Sequence, residues 1–150
     1  MIVDAGLSLI RYSQVKDTGT PPQCDNEAVI LGDTMGDLRK FYCLATIIFV
    51  GRSLVPMGGS DMMEAAALGK CTIFGPYAFN FKQTVDALLA DNGALIVKDK
   101  DELLQTMHKC LNEPEFARQI AQNGQEVIRK NQGATARTIE QIAKFLSPAR

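Results

Sequence analysis

No two cysteines of this chain lie close enough in sequence to form a metal or redox motif. Cys24, Cys43, Cys71 and Cys110 are scattered without CxxC spacing, so neither a zinc site nor a disulfide framework is indicated. The expectation is reduced, mostly buried thiols in a cytoplasmic setting. A basic stripe is also missing: 16 Lys and Arg against 17 Asp and Glu give a formal net charge of -1, which argues against nucleic acid as a partner. No apolar run approaches the length of a membrane span, and the start lacks a basic segment ahead of a long apolar one. The chain is therefore expected to carry no insertion signal of its own. The single histidine, His108, sits beside Lys109 in an amphipathic stretch and reads as a surface or boundary residue. Internal repeats and low-complexity segments are absent.

What is present is an ordinary globular composition. The 150 residues are 46% hydrophobic and 22% charged, which suits one domain able to bury a core without staples. Residues 16–27 (KDTGTPPQCDNE) are polar and rich in turn formers, and read as a flexible loop. A compact core with C-terminal helices is expected over 28–150. Apolar runs at 28–31, 45–50, 71–74 and 94–97 read as strands. Helical spacing covers about 37–44, 61–68, 81–90, 101–111, 115–130 and 134–146, with Pro114 suited to a first helical position. Strands alternating with helices imply an α/β fold, a Rossmann-like parallel sheet with helices on both faces. In such sheets ligands bind at the carboxyl ends of the strands. The loops holding Gly32 to Asp37, Gly51 to Asp61 and Gly75 to Asn80 all follow strands and are expected to meet on one edge.

The segment Gly58-Gly59-Ser60-Asp61-Met62-Met63-Glu64-Ala65-Ala66-Ala67-Leu68-Gly69 joins two glycines to an apolar helix bearing one carboxylate. Glycines let an anion approach the backbone, and the first amides of a helix point at it. In a ligand reading, amides near Gly59 and Ser60 hold phosphate while Glu64 accepts hydrogen bonds from vicinal hydroxyls. Asp61 with Glu64 three residues on also fits a capping box, which needs no ligand. Arg52, just past a strand, is placed to pair with phosphate or carboxylate. Asp33 and Asp37 flank Thr34-Met35-Gly36, but a carboxylate at a helix start ordinarily offsets the dipole. Gly36 and the following amides are better candidates for nucleotide contact. Met62 and Met63 read as core filling.

GDTMGDL at 32–38, FVGRSLVPMGGSDMMEAAALGK at 49–70, GPYAFNF at 75–81 and NQGATAR at 131–137, with LIRYSQV at 9–15, together resemble the 3-deoxy-D-manno-octulosonic acid (Kdo) transferases. That family transfers Kdo from CMP-Kdo to a lipid A precursor and has the two-domain GT-B fold. The resemblance implies a donor-nucleotide half, with the acceptor domain and the catalytic carboxylate absent from this chain. It implies a donor site at Gly36, Asp37, Leu38, Arg52, Ser53, Gly58, Gly59, Ser60, Asp61 and Glu64, with Glu64 on ribose and Gly58 to Asp61 on phosphate. Pro76 and Asn80 fall on the sugar side. It further implies no metal or cofactor, a full enzyme at the cytoplasmic face of the inner membrane, and a chain that alone binds nucleotide and transfers nothing. The family pattern has Gly-Gly-Ser where this chain has Gly51-Arg52-Ser53, and Gly-Gly-His-Asn-Pro where it has Gly58-Gly59-Ser60-Asp61-Met62. Asp61 would repel phosphate unless offset, so Arg52 and Asp61 are expected to form a compensating pair. The rival readings are half of a UDP-sugar enzyme of the same fold, and a non-catalytic nucleotide-binding domain.

Overall fold

The computed structural model describes residues 2–18 and 28–146. Most of the expected 16–27 loop, with Cys24, lies outside the described residues. The chain divides into two compact units, Met1–Leu44 and Ala45–Arg150, where the sequence suggested one core beginning at 28.

In the first unit, β1 (Leu9–Arg11) pairs in parallel with β2 (Val29–Leu31), Leu9 opposite Val29 and Arg11 opposite Leu31. β1 was not expected from periodicity, because three residues with one half-buried side chain leave no readable alternation. Helix α1 (Tyr12–Val15) follows β1, and α2 (Leu38–Leu44) follows the glycine loop after β2. The rings of Tyr12 and Phe41 meet edge to face at 4.8 Å and tie the two helices together.

The second unit is built on a parallel sheet in the order β3 (Ile47–Val50), β4 (Cys71–Phe74), β5 (Leu95–Ile96). All four residues of the central strand β4 are buried, as a strand paired on both sides and covered by helices must be. Between the strands run α3 (Met63–Ala67) and α4 (Lys82–Ala90), the latter led in by a 3-10 turn over Phe79–Phe81. After them come α5 (Lys100–Asn112), α6 (Pro114–Asn131) and α7 (Ala134–Leu146). Asp99 caps α5 by accepting the Asp101 and Glu102 amides at 2.9 Å, while Glu102 accepts the Lys98 amide at 2.7 Å. This reciprocal arrangement satisfies otherwise orphaned donors. Pro114 opens α6, as its locked φ and missing amide favour.

Helix α6 packs against β4, α3, α4 and α5. At one point it meets the rest of the unit backbone to backbone. Gly124 in α6 lies against Gly93 in the turn before β5, where a Cβ on Gly93 would stand 2.7 Å from the Gly124 Cα. Nearby, the Asn123 side chain donates to the Asn92 carbonyl at 3.3 Å. On the core side, the Cys71 and Cys110 sulfurs lie 3.7 Å apart, packed with Ala117 and Ile120. Neither sulfur is in a disulfide, nor is that of the exposed Cys43.

Candidate functional site

Since β3 and β4 are parallel neighbours, the loops after Val50 and Phe74 leave the sheet at the same carboxyl edge. They are closed onto each other by backbone. The first loop forms a ring, in which the Gly59 amide donates to the Arg52 carbonyl at 3.2 Å. The Tyr77 amide donates to the Ser53 carbonyl at 2.9 Å, and the Asn80 amide to the Gly58 carbonyl at 3.4 Å. Glycines permit this contact. A Cβ on Gly75 would stand 2.6 Å from the Ser53 carbonyl carbon, one on Gly59 would stand 3.1 Å from the Ala78 Cα, and one on Gly58 would run into the Asn80 carboxamide. Gly58 and Gly59 also hold φ of 85° and 76°, which side-chain-bearing residues rarely adopt.

Arg52 does adopt such a conformation, at φ 62°. Its guanidinium donates to the Met57 carbonyl at 3.3 Å across the ring. Asp61 accepts the Met63 amide at 2.8 Å and so occupies one of the first-turn donors of α3 itself. The expected Arg52–Asp61 pair is not formed: no ion pair joins them among the described residues, because Arg52 is taken by the Met57 carbonyl and Asp61 by the Met63 amide. The capping box is only half built. Asp61 caps a helix amide, but no hydrogen bond is formed by the Glu64 carboxylate among the described residues.

Glu64 is half-buried in α3, with Ala65 and Ala66 beside it fully buried. α3 spans five residues, shorter than the expected 61–68. Ser60 is half-buried, and Pro76 and Asn80 are exposed. A concavity of ≈ 340 Å³ is lined by Phe79, Asn80, Phe81, Lys82, Gln83 and Thr84.

Ser53 departs from its expected part. It is fully buried, its hydroxyl donates to the Val50 carbonyl at 2.6 Å, and it accepts the Gly75 amide at 2.8 Å. A hydroxyl so placed reaches no ligand.

The first unit holds the remaining expected positions. Gly36 is exposed with φ 83°, and Leu38 begins α2 with its side chain exposed. Asp37, buried, accepts from Lys40 Nζ at 2.6 Å and Thr34 Oγ1 at 2.7 Å. The Lys40 bond first, then that of Thr34, holds its carboxyl below the usual range. Asp33 accepts the Ser13 amide at 2.9 Å and the Ser13 hydroxyl at 2.8 Å, and Arg11 lies at 3.3 Å. These bonds, the Ser13 amide foremost, lower its pKa as well. Asp37 thus acts within its own loop and the start of α2, while Asp33 ties that loop to the junction of β1 and α1. Of the three loops expected on one edge, two leave the same sheet, and the third follows β2 in a separate two-stranded sheet.

A parallel β-α sheet whose two glycine loops leave its carboxyl edge in contact, with Glu64 in the first turn of the helix that follows, defines a Rossmann-like α/β domain. The sequence profile described as "Glycosyl transferase-like" matches residues 34–144, and the chain belongs to that family. Over 143 residues it is 33% identical to the 3-deoxy-D-manno-octulosonic acid transferase of Bordetella pertussis, an alignment covering 95% of this chain and 32% of that protein. The enzyme of the same name from Haemophilus influenzae is 35% identical over 123 residues, 81% of this chain and 29% of its own. The chain thus spans about a third of the length of these curated relatives. Among solved structures, the C-terminal CMP-Kdo binding domain of WaaA from Acinetobacter baumannii superposes with a TM-score of 0.75 at 31% identity, over 85% of this chain and 64% of that one.

Proposed function

We propose that this chain is the donor-binding half of a Kdo transferase and holds CMP-Kdo on the loops after β3 and β4. The observation that carries the reading is Glu64: a half-buried carboxylate in the first turn of the helix after the Gly58-Gly59 loop, without a hydrogen-bond partner among the described residues. Such a group pairs well with the vicinal hydroxyls of a ribose, through short charge-assisted bonds. The Bordetella, Haemophilus and Acinetobacter relatives support the choice of CMP-Kdo over other nucleotide sugars.

In this reading the Ser60 amide faces the phosphate, the Gly59 amide being spent on the Arg52 carbonyl inside the ring, with Arg52 swinging from the Met57 carbonyl to meet it. Leaving-group charge on CMP is then stabilised by a backbone donor already held in place by the loop and by the Arg52 cation. The acceptor, a lipid A precursor, and the group that activates its hydroxyl belong to a domain outside this chain, at the cytoplasmic membrane face. No helix among the described residues is long and apolar enough to cross a membrane.

Titration calorimetry with CMP and UDP tests the assignment. CMP is expected to bind at least tenfold more tightly than UDP, and Glu64→Gln to weaken CMP about tenfold, the cost of about 1.4 kcal/mol when a charge-assisted bond becomes neutral. Preference for UDP would hand the site to another nucleotide-sugar donor. Equal affinity of the Glu64→Gln chain would remove the ribose contact.

A further inference from the structure

We infer that Ser53 is a positioning residue of the donor site, holding the phosphate loop and the sugar-side loop at one fixed separation; this rests on the donor reading above. The motif carrying Ser53 points to ligand contact, yet its hydroxyl faces the sheet. It is fully buried, and both its bonds go to backbone: as donor to Val50 at the end of β3, as acceptor from Gly75 just past the end of β4. Its own carbonyl takes the Tyr77 amide. One residue therefore joins the end of one strand, the exit of the next, and the loop beyond it.

Gly75 allows the joint to close, since a Cβ there would stand 2.6 Å from the Ser53 carbonyl carbon and 2.8 Å from the Leu54 amide nitrogen. From this joint the two loops run outward in contact as far as Gly58 and Asn80, where the Asn80 amide reaches the Gly58 carbonyl. A ligand that touches only the Gly58–Glu64 segment does not depend on the spacing. A ligand that touches that segment and Asn80 together does, because its two contacts must be satisfied by one rigid molecule. Deleting the hydroxyl leaves the buried Val50 carbonyl and Gly75 amide without their partner, and frees the second loop to drift from the first. CMP and CMP-Kdo are such a pair of ligands in the proposed site.

Two measurements test this on the 150-residue chain. In the native protein, amide hydrogen exchange is expected to protect Gly75 and Tyr77 together, at the rate of β4 and not of an exposed loop. Free-loop exchange at either amide would overturn the coupling, whatever the variant does. Ser53→Ala is then titrated with CMP and with CMP-Kdo. The expected result is at least tenfold loss of CMP-Kdo affinity with CMP kept within about threefold. Equal loss of both ligands marks general destabilisation and overturns the positioning role, as does no loss of either. Failure of the native chain to bind CMP would overturn the donor reading, while the exchange rates still decide the coupling.

Discussion

Arg52 is the residue at which backbone strain and ligand charge can be separated by substitution. Its φ of 62° lies in the left-handed region, which costs a residue with a Cβ about 1–2 kcal/mol. Against that strain stands one exposed bond to the Met57 carbonyl at 3.3 Å, at the long end for N–H···O and worth little in water. Arg52→Gly removes the strain but loosens the unfolded chain by about 0.5–1 kcal/mol. Arg52→Ala keeps the strain and loses the same side chain. The glycine variant should therefore be more stable than the alanine variant by about 0.5–1 kcal/mol, roughly 1–4 °C in melting temperature. If Arg52 meets the donor phosphate, both variants lose a charge-assisted bond of about 1.5–3 kcal/mol, roughly tenfold to a hundredfold in CMP affinity. Urea unfolding followed by circular dichroism reads the first effect, and calorimetric titration the second. Equal stability of the alanine and glycine variants would show that position 52 carries no backbone strain. CMP binding by either variant at the native affinity would show that Arg52 is a loop residue only.

Gly124→Ala should destabilise by about 1–3 kcal/mol although alanine is the better helix former by about 1 kcal/mol, because its Cβ would press on the Gly93 carbonyl with backbone on both sides; a thermal melt at or above the native value would show that α6 can shift freely. The lowered pKa of Asp33 means its bonds to Ser13 stabilise the first unit fully above the ordinary carboxylate value of 3.8 and fade as pH falls below it. Asp33→Asn should flatten that acid limb in pH-dependent unfolding, and an unchanged limb would remove Asp33 as its source. Burial pushes the Cys71 thiol up to about 12, and also raises Cys110. A thiol reagent should therefore modify Cys43 in the native chain and reach Cys71 and Cys110 only on unfolding, as peptide mass spectrometry will show.

Much of the frame is legible from local pattern. The run CTIF at 71–74 reads as a buried strand and is β4, residue for residue. Pro114 opens α6, and the break at 132–133 that separates α6 from α7 falls inside the gap expected between 130 and 134. Gly58, Gly59 and Glu64 fall on the loop and helix that their order suggests. These features depend on side-chain volume, turn chemistry and a period of two or 3.6, all written within a few neighbouring residues.

The placement of the polar groups was not legible. Ser53 looks like its neighbour Arg52 in sequence, yet one is sealed against the sheet and the other stands exposed in a left-handed turn. Cys71 and Cys110, 39 positions apart, meet in the core, and Gly93 and Gly124 touch across two elements. Arg52 and Asp61, which charge alone would pair, are each taken by a nearer backbone group. The sequence alone determined where strands, helices and glycine turns lie, because those are decided by short-range sterics and hydrophobic period. Which side chain faces a ligand and which faces the sheet was decided only by tertiary structure, because a buried hydroxyl or amide takes whichever partner the packing of distant segments brings within about 3 Å.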